Sequence, residues 1–260
     1  MKYTGAIKMN ISKILFPIVT NEIRKCGEIL YYAQGDITCY VLRGNQGDLL
    51  IDTGLFHIWH GLRKWLGQYD IRYVLLTHAH ADHDWNAAKL QKAGAKILLS
   101  ERDKDLRQNY LSQRVQPTMP KYIFRNYTQW INGSIFKSPH YDADIYFGGQ
   151  DGELLRKLGF DADIVLLPGH TYGSVGVYSK GVLYCGDAFT ALWKRPDITP
   201  HAVSPSLMKG SLERIVKLSP EQLACGHGLP IRFENALPII MEYSNCFGKE
   251  TDHMTKETVR

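Results

Sequence analysis

The sequence predicts an α/β protein made of two similar αβ layers that face each other. Three observations lead there. Short apolar segments of strand character open the chain and then alternate with helical patterns. The same order, strands first and helices after, recurs in the second half. Several strand-like runs also end in a His or an Asp, placing polar side chains at strand termini where a loop must leave a sheet.

Taken in order, the apolar stretch Ile11 to Val19 is interrupted by Lys13 and Pro17 and lacks a small-residue cleavage site, so it reads as a first strand rather than a signal peptide. Strands follow at Glu28–Ala33, Ile37–Arg43 and Asp48–Asp52, the last two joined as a hairpin through Gly44-Asn45-Gln46-Gly47. A helix at Phe56–Leu66, a strand at Arg72–Leu76, a helix at Asp84–Ala93 and a strand at Lys96–Ser100 turn the antiparallel start into β-α-β alternation. Residues 101–160 break this rhythm. The stretch is charged over Glu101-Arg102-Asp103-Lys104-Asp105 and then aromatic, with Tyr110, Tyr122, Phe124, Tyr127, Trp130, Phe136, Tyr141, Tyr146 and Phe147. A structureless loop of that length is unusual, so one or two helices are expected in this insertion. Its aromatics suit equally a lid over a substrate pocket and a satellite core or homodimer contact. Strands resume at Asp163–Leu167, Ser174–Ser179 and Gly181–Cys185, with Ser179-Lys180-Gly181 as a hairpin turn. Helix Ser206–Leu218, strand Gln222–Cys225 and helix Phe233–Phe247 follow, and the polar tail 248–260 is expected to fray.

Composition narrows the functional classes. A hydrophobic content of 44% supplies a large core, and a net charge of +5 with both signs interspersed offers no basic groove for nucleic acid. The five cysteines are scattered and lack CxxC spacing, which fits a reducing, cytoplasmic setting. No stretch reaches the roughly 18 apolar residues of a membrane span. A small-molecule partner is the expectation that remains.

The densest chemistry lies in Thr77-His78-Ala79-His80-Ala81-Asp82-His83, directly after the apolar run Tyr73-Val74-Leu75-Leu76. His and Asp are the ligand types that zinc and related borderline metals take. His78 and His80, two apart on an extended segment, point to one side. Asp82 and His83 open a helical pattern and can face a second ion; the bland alternative is a solvated loop with Asp82 as a helix cap. Three more strand-like runs deliver His170 after Gly169, Asp187 after Gly186 and His227 after Gly226. Together these make five imidazoles and two carboxylates at strand ends, the inventory of a dinuclear site.

On these residues the chain resembles the metallo-β-lactamase-fold superfamily. Its motifs have counterparts in Ile51-Asp52-Thr53-Gly54, the His78–His83 run, Gly169-His170-Thr171, Gly186-Asp187-Ala188 and Gly226-His227-Gly228. The resemblance implies a single domain over 1–260 with a four-layer αββα sandwich, two mixed sheets and helices on the outer faces. It assigns His78, His80 and His170 to one metal, Asp82, His83 and His227 to a second, Asp187 to both, and Asp52 to support of the histidine loop. The ions would be Zn²⁺, with iron or manganese as alternatives.

Two such ions can share a water, lower its pKa and clamp attacking and leaving atoms, so a bridging hydroxide attacking an ester-like bond is the expected mechanism, with Asp82 and Asp187 as its carboxylates. Asp187 turns the resemblance from true β-lactamases toward the glyoxalase II and lactonase branches. Only 33 residues follow His227, short of the helical domain of glyoxalase II, while Thr190 stands where a lactonase-type Tyr is expected. A phosphodiesterase is an alternative; so is a mono-iron thiol or persulfide oxygenase, which would leave Asp82, His83 and His227 unused. A non-catalytic binding module would predict eroded ligands, and none is eroded. His57, His60, His140 and His201 read as surface or packed residues, and Trp193, Lys194 and Arg195 as a contact for an anionic substrate group.

Overall fold

In the computed structural model, residues 18–24, 27–106, 109–123, 137–192 and 195–257 are described. The first strands, β1 (Ile18–Arg24), β2 (Gly27–Gln34), β3 (Ile37–Leu42) and β4 (Asp48–Ile51), run antiparallel in sequence order. Helix α1 (Trp59–Leu66) crosses over to β5 (Ile71–Leu75), which lies parallel to β4. Two short helices, α2 (Ala81–Asp84) and α3 (Ala87–Lys92), cross over to β6 (Lys96–Ser100), parallel to β5.

The expected helix over Asp84–Ala93 is thus split, and Asn86 is the reason. Its amide Nδ2 donates to the carbonyls of Thr53, Gly54 and Leu55 at 2.9, 3.2 and 3.1 Å. Its backbone N–H donates to Thr53 Oγ1 at 3.1 Å, outside the helical ladder, while its carbonyl accepts from Leu90 N at 3.2 Å and so starts the next helix.

Among the described residues of the insertion, helix takes the form of single 3₁₀ turns at Glu101–Asp103, Tyr110–Ser112 and Pro120–Tyr122 and one short α-helix at Leu154–Lys157; residues 107–108 and 124–136 lie outside the described residues. Strand β7 (Gln116–Pro117) follows the second turn, and β8 (Ile145–Phe147) extends the first sheet beside β6, so Tyr146 and Phe147 are sheet residues. Phe124, Tyr127, Trp130 and Phe136 lie outside the described residues. Helix α4 (Leu154–Lys157) leads to β9 (Asp163–Leu166), β10 (Val175–Ser179) and β11 (Val182–Gly186), then β12 (His201–Ala202), α5 (Pro205–Leu218), β13 (Gln222–Cys225), β14 (Ile231–Arg232) and α6 (Phe233–Glu257). The helical backbone of α6 runs through most of the stretch read as a tail, to Glu257. No helix among the described residues is long and apolar enough to cross a membrane.

Strand order is β1-β2-β3-β4-β5-β6-β8 in one sheet and β14-β13-β11-β10-β9 in the other. Side-chain alternation then dictates four layers. Leu49, Ile51, Leu75 and Leu98 point inward and meet Ile164, Val177, Val182 and Tyr184 of the second sheet. Their neighbours Leu50, Val74, Ile97 and Leu99 point outward onto Leu62, Trp65 and Leu66 of α1 and Leu90 of α3. On the far side Leu183, Cys185, Leu223 and Cys225 cover Met208, Leu212 and Ile215 of α5 and Ile240 and Tyr243 of α6. Both sheets are mixed and helices cover both outer faces, which is the αββα sandwich.

Leu50, fully buried between sheet and helix, tests this layering. Leu50→Ala is expected to cost about 2–5 kcal/mol, read as a lowered midpoint in denaturant unfolding.

Candidate metal centre

Strand direction alone collects the ligand-type residues at one edge. β4 and β5 are parallel, so Asp52 and the histidine loop leave the first sheet on the same side. β11 and β13 are parallel too, and β9 reaches the same direction through two antiparallel pairings with β10. His170, Asp187 and His227 therefore emerge together. The edges of the two sheets are stitched there: Thr38 N donates to Gly226 O at 2.9 Å, Val175 N to Thr77 O at 2.9 Å and Tyr40 Oη to Cys225 O at 2.7 Å.

Side chains of His78, His80 and His170 offer ligand atoms that all lie within 4.8 Å of one another, and so do those of Asp82, His83 and His227. His78, His83 and Asp187 form a third such group that overlaps both. Asp187 occupies the middle. One of its oxygens is 3.4 Å from His83 Nε2; the other is 3.5 Å from His170 Nε2 and 3.4 Å from His227 Nε2. His227 Nε2 is 3.3 Å from Asp82 Oδ2. His78 Nε2 is buried without a hydrogen-bond partner, which is costly unless a cation takes its lone pair, and His80 Nδ1 points at His170 Nε2, 2.9 Å away. The donor set of neutral imidazoles and carboxylates fits a borderline divalent ion. Cluster access is one-sided. Asp82 and His227 keep 30% and 17% of their side-chain surface, while His83 and His170 keep 1% and Asp187 5%.

Electrostatics divides the imidazoles. Burial, reinforced by neighbouring imidazoles, pushes His78 and His80 well below the ordinary histidine range, keeping them in the neutral, ligating form. Burial also opposes charge on His83 and His227, but Asp187 with Asp52 and Asp82 around His83, and Asp187 with Asp82 around His227, more than reverse this and hold both well above that range. For Asp187 burial works toward neutrality and is outweighed by His227 and His83, so it stays a carboxylate. Were a dication held by these residues, it would supply the charge that protonated His83 and His227 otherwise offer to Asp187.

Supporting residues fix these rings. Asp52 Oδ1 accepts from Thr77 N at 2.8 Å, and its Oδ2 takes the Thr77 hydroxyl and His83 Nδ1, both at 2.8 Å. His170 Nδ1 bonds the carbonyl of His201 at 2.9 Å, and the His201 ring itself lies 5.4 Å from that of His170. His201 is thereby part of the site's wall, whereas His57, His60 and His140 are exposed. Tyr110 of the insertion has its ring 5.2 Å from that of His80, and Tyr141 Oη donates to Asp84 at 2.8 Å. Arg195 is exposed; Trp193 and Lys194 lie outside the described residues.

One residue escapes a reading of the sequence altogether. Asp103 sits in the charged stretch that looks solvated, yet it is fully buried and accepts four hydrogen bonds. The signal that finds it is its position three residues past the end of β6, a parallel neighbour of β5 whose C-terminal end shares the ligand edge.

Gly226 shows how tightly the edge is built. A Cβ there would sit 2.5 Å from His83 Cε1 and 2.8 Å from Asp187 Oδ1. Gly226→Ala should therefore displace two ligand-type side chains while leaving the sheets intact. The expected result is about 10–100-fold weaker metal retention in dialysis against a chelator, with an unchanged far-UV spectrum.

A family model described as the metallo-beta-lactamase superfamily matches residues 33–227, a span that contains all seven ligand-type residues. YobT, an uncharacterized protein of Bacillus subtilis (strain 168), is 32% identical over 165 residues, covering 59% of this chain and 62% of YobT. The hydroxyacylglutathione hydrolase GloC of Haemophilus influenzae is 30% identical over 123 residues, 45% of this chain and 50% of GloC. The chain thus spans between half and about three-fifths of the length of these two curated relatives. Among solved structures, the subclass B3 metallo-beta-lactamase BJP-1 of Bradyrhizobium japonicum superposes with a TM-score of 0.58 at 20% identity, covering 88% of this chain and 93% of BJP-1. At that identity the likeness is one of fold.

Proposed function

The chain belongs to the metallo-beta-lactamase superfamily, and on that premise we propose that it is a metal-dependent hydrolase whose two divalent ions, zinc foremost, serve the cleavage of an ester-like bond in a small molecule. The bond is a lactone, a thioester or a related ester. One observation carries the reading: the carboxylate of Asp187 lies between the two triplets of ligand-type side chains, within 3.5 Å of a nitrogen from each. An arrangement for one ion would leave Asp82, His83 and His227 without a purpose.

In this reading His78, His80 and His170 hold one ion, Asp82, His83 and His227 hold the other, and Asp187 serves both. Bound there, the pair supplies activated water and polarisation of the scissile carbonyl. The chain's own groups do the rest. Asp52 and the His201 carbonyl fix the tilt of His83 and His170 through their Nδ1 atoms, so the Nε2 faces stay turned inward. Asp82 Oδ2, on the open side and 3.3 Å from His227, is placed to pass a proton between the site and solvent. GloC, named for hydrolysis of a hydroxyacylglutathione, favours the thioester arm of the class.

The test is a panel of lactones, thioesters, aryl esters, bis-aryl phosphodiesters and a chromogenic cephalosporin, run with and without a chelator, beside elemental analysis. Two zinc equivalents and chelator-sensitive cleavage of an ester or thioester are expected. One iron per chain with a visible absorption band, or turnover that survives full metal removal, would overturn the proposal. Asp187→Ala should shed one metal equivalent and lose at least about 100-fold in kcat/KM, roughly 2.7 kcal/mol of barrier.

A further inference from the structure

Asp103 and Asp52 stand on opposite flanks of the histidine loop, and their contacts do not overlap. Asp52 grips Thr77 and His83. Asp103 reaches the middle of the loop, where its Oδ2 accepts from Ala79 N at 3.2 Å, between His78 and His80. The same oxygen takes the hydroxyl of Thr171 at 2.7 Å, one residue past His170. Its Oδ1 accepts from Gly173 N and from Gln113 Nε2, both at 2.9 Å. Gln113 in turn receives Tyr172 N on its Oε1 at 2.7 Å. Three of the four partners of Asp103 are N–H groups that can only donate, and they fall on both of its oxygens, so an acceptor is needed on each side. The approach is also close. A Cβ on Gly173 would sit 2.5 Å from the carboxylate carbon of Asp103.

We infer that Asp103 is the positioning residue of one half of the metal centre: it locks the loop of His78 and His80 to the loop of His170, whereas Asp52 holds His83 directly and reaches His78 only through the Thr77 hydroxyl, 3.2 Å from His78 Nδ1. The inference rests on the reading that the two triplets bind metal. It also explains why the insertion begins where it does. The first turn of the insertion carries the carboxylate, and Gln113, ten residues on, fixes it from the other side. An Asn at 103 cannot fill the role, because its NH₂ must face at least one N–H donor whichever way the amide turns: Ala79 N on one side, Gly173 N and Gln113 Nε2 on the other.

The experiment separates the halves by using two parent variants. His227→Ala retains His78, His80 and His170; His170→Ala retains Asp82, His83 and His227. Zn²⁺ affinity is measured for each parent by competition with a chromophoric chelator, with and without Asp103→Asn. The expected result is a 10–100-fold loss in the His227→Ala parent, the usual effect of removing an orienting partner, and a change below about twofold in the His170→Ala parent. Gly173→Ala, which pushes on the same carboxylate, should reproduce the pattern and decides the question if Asp103→Asn does not fold. Equal losses in both parents would mean general loosening and overturn the inference, as would an unchanged affinity in the His227→Ala parent. Failure of both parents to bind Zn²⁺ would overturn the metal-centre reading, and this inference with it.

Discussion

Everything at the ligand edge is arranged around one buried negative charge. Asp187 lies among three imidazoles, and both sheets end against it. Burying a carboxylate is expensive unless charge and hydrogen bonds compensate, and the compensation here comes from loops of both sheets. That requirement fixes how the sheets meet: β5 must deliver His83, β9 His170 and β13 His227 to the same point. The parallel pairs β4–β5 and β11–β13 satisfy it because parallel strands end on the same side.

Much of this was legible in the chain. Apolar runs ending in Gly and then a His or Asp mark a strand leaving a sheet into a loop that approaches closely, and His170, Asp187 and His227 follow that rule. The histidine run declared itself by density. The two facing αβ layers were legible in the strand-then-helix order of each half, whereas the all-apolar Leu49-Leu50-Ile51, whose neighbours face opposite cores, carries no alternation in the sequence.

What stayed hidden depends on contacts far apart in sequence. Nothing local at Trp85-Asn86 says that a helix should pause; the cause is three carbonyls some thirty residues upstream. Asp103, among Glu101, Arg102, Lys104 and Asp105, has the neighbourhood of a solvated turn, and only the register of β6 against β5 turns it inward. His201 contributes a main-chain oxygen, which no side-chain inventory registers. The insertion's aromatics divide by location as well: Phe147 belongs to a sheet, while Tyr110 and Tyr141 stand near the histidine loop.

The pairing of β7 with β12 gives the insertion a standing different from that of an added flap. Gln116 and Pro117 pair with Ala202 and His201, and Thr118 bonds Thr199 and Pro200 through its hydroxyl and its N–H. The carbonyl that steers His170 thus belongs to a strand whose partner comes from the insertion. Excising residues 101–123 would not give a trimmed protein with a wider mouth. It would give one whose His170 ring had lost the brace on its far side, so the size of the mouth and the sharpness of the centre are inherited together.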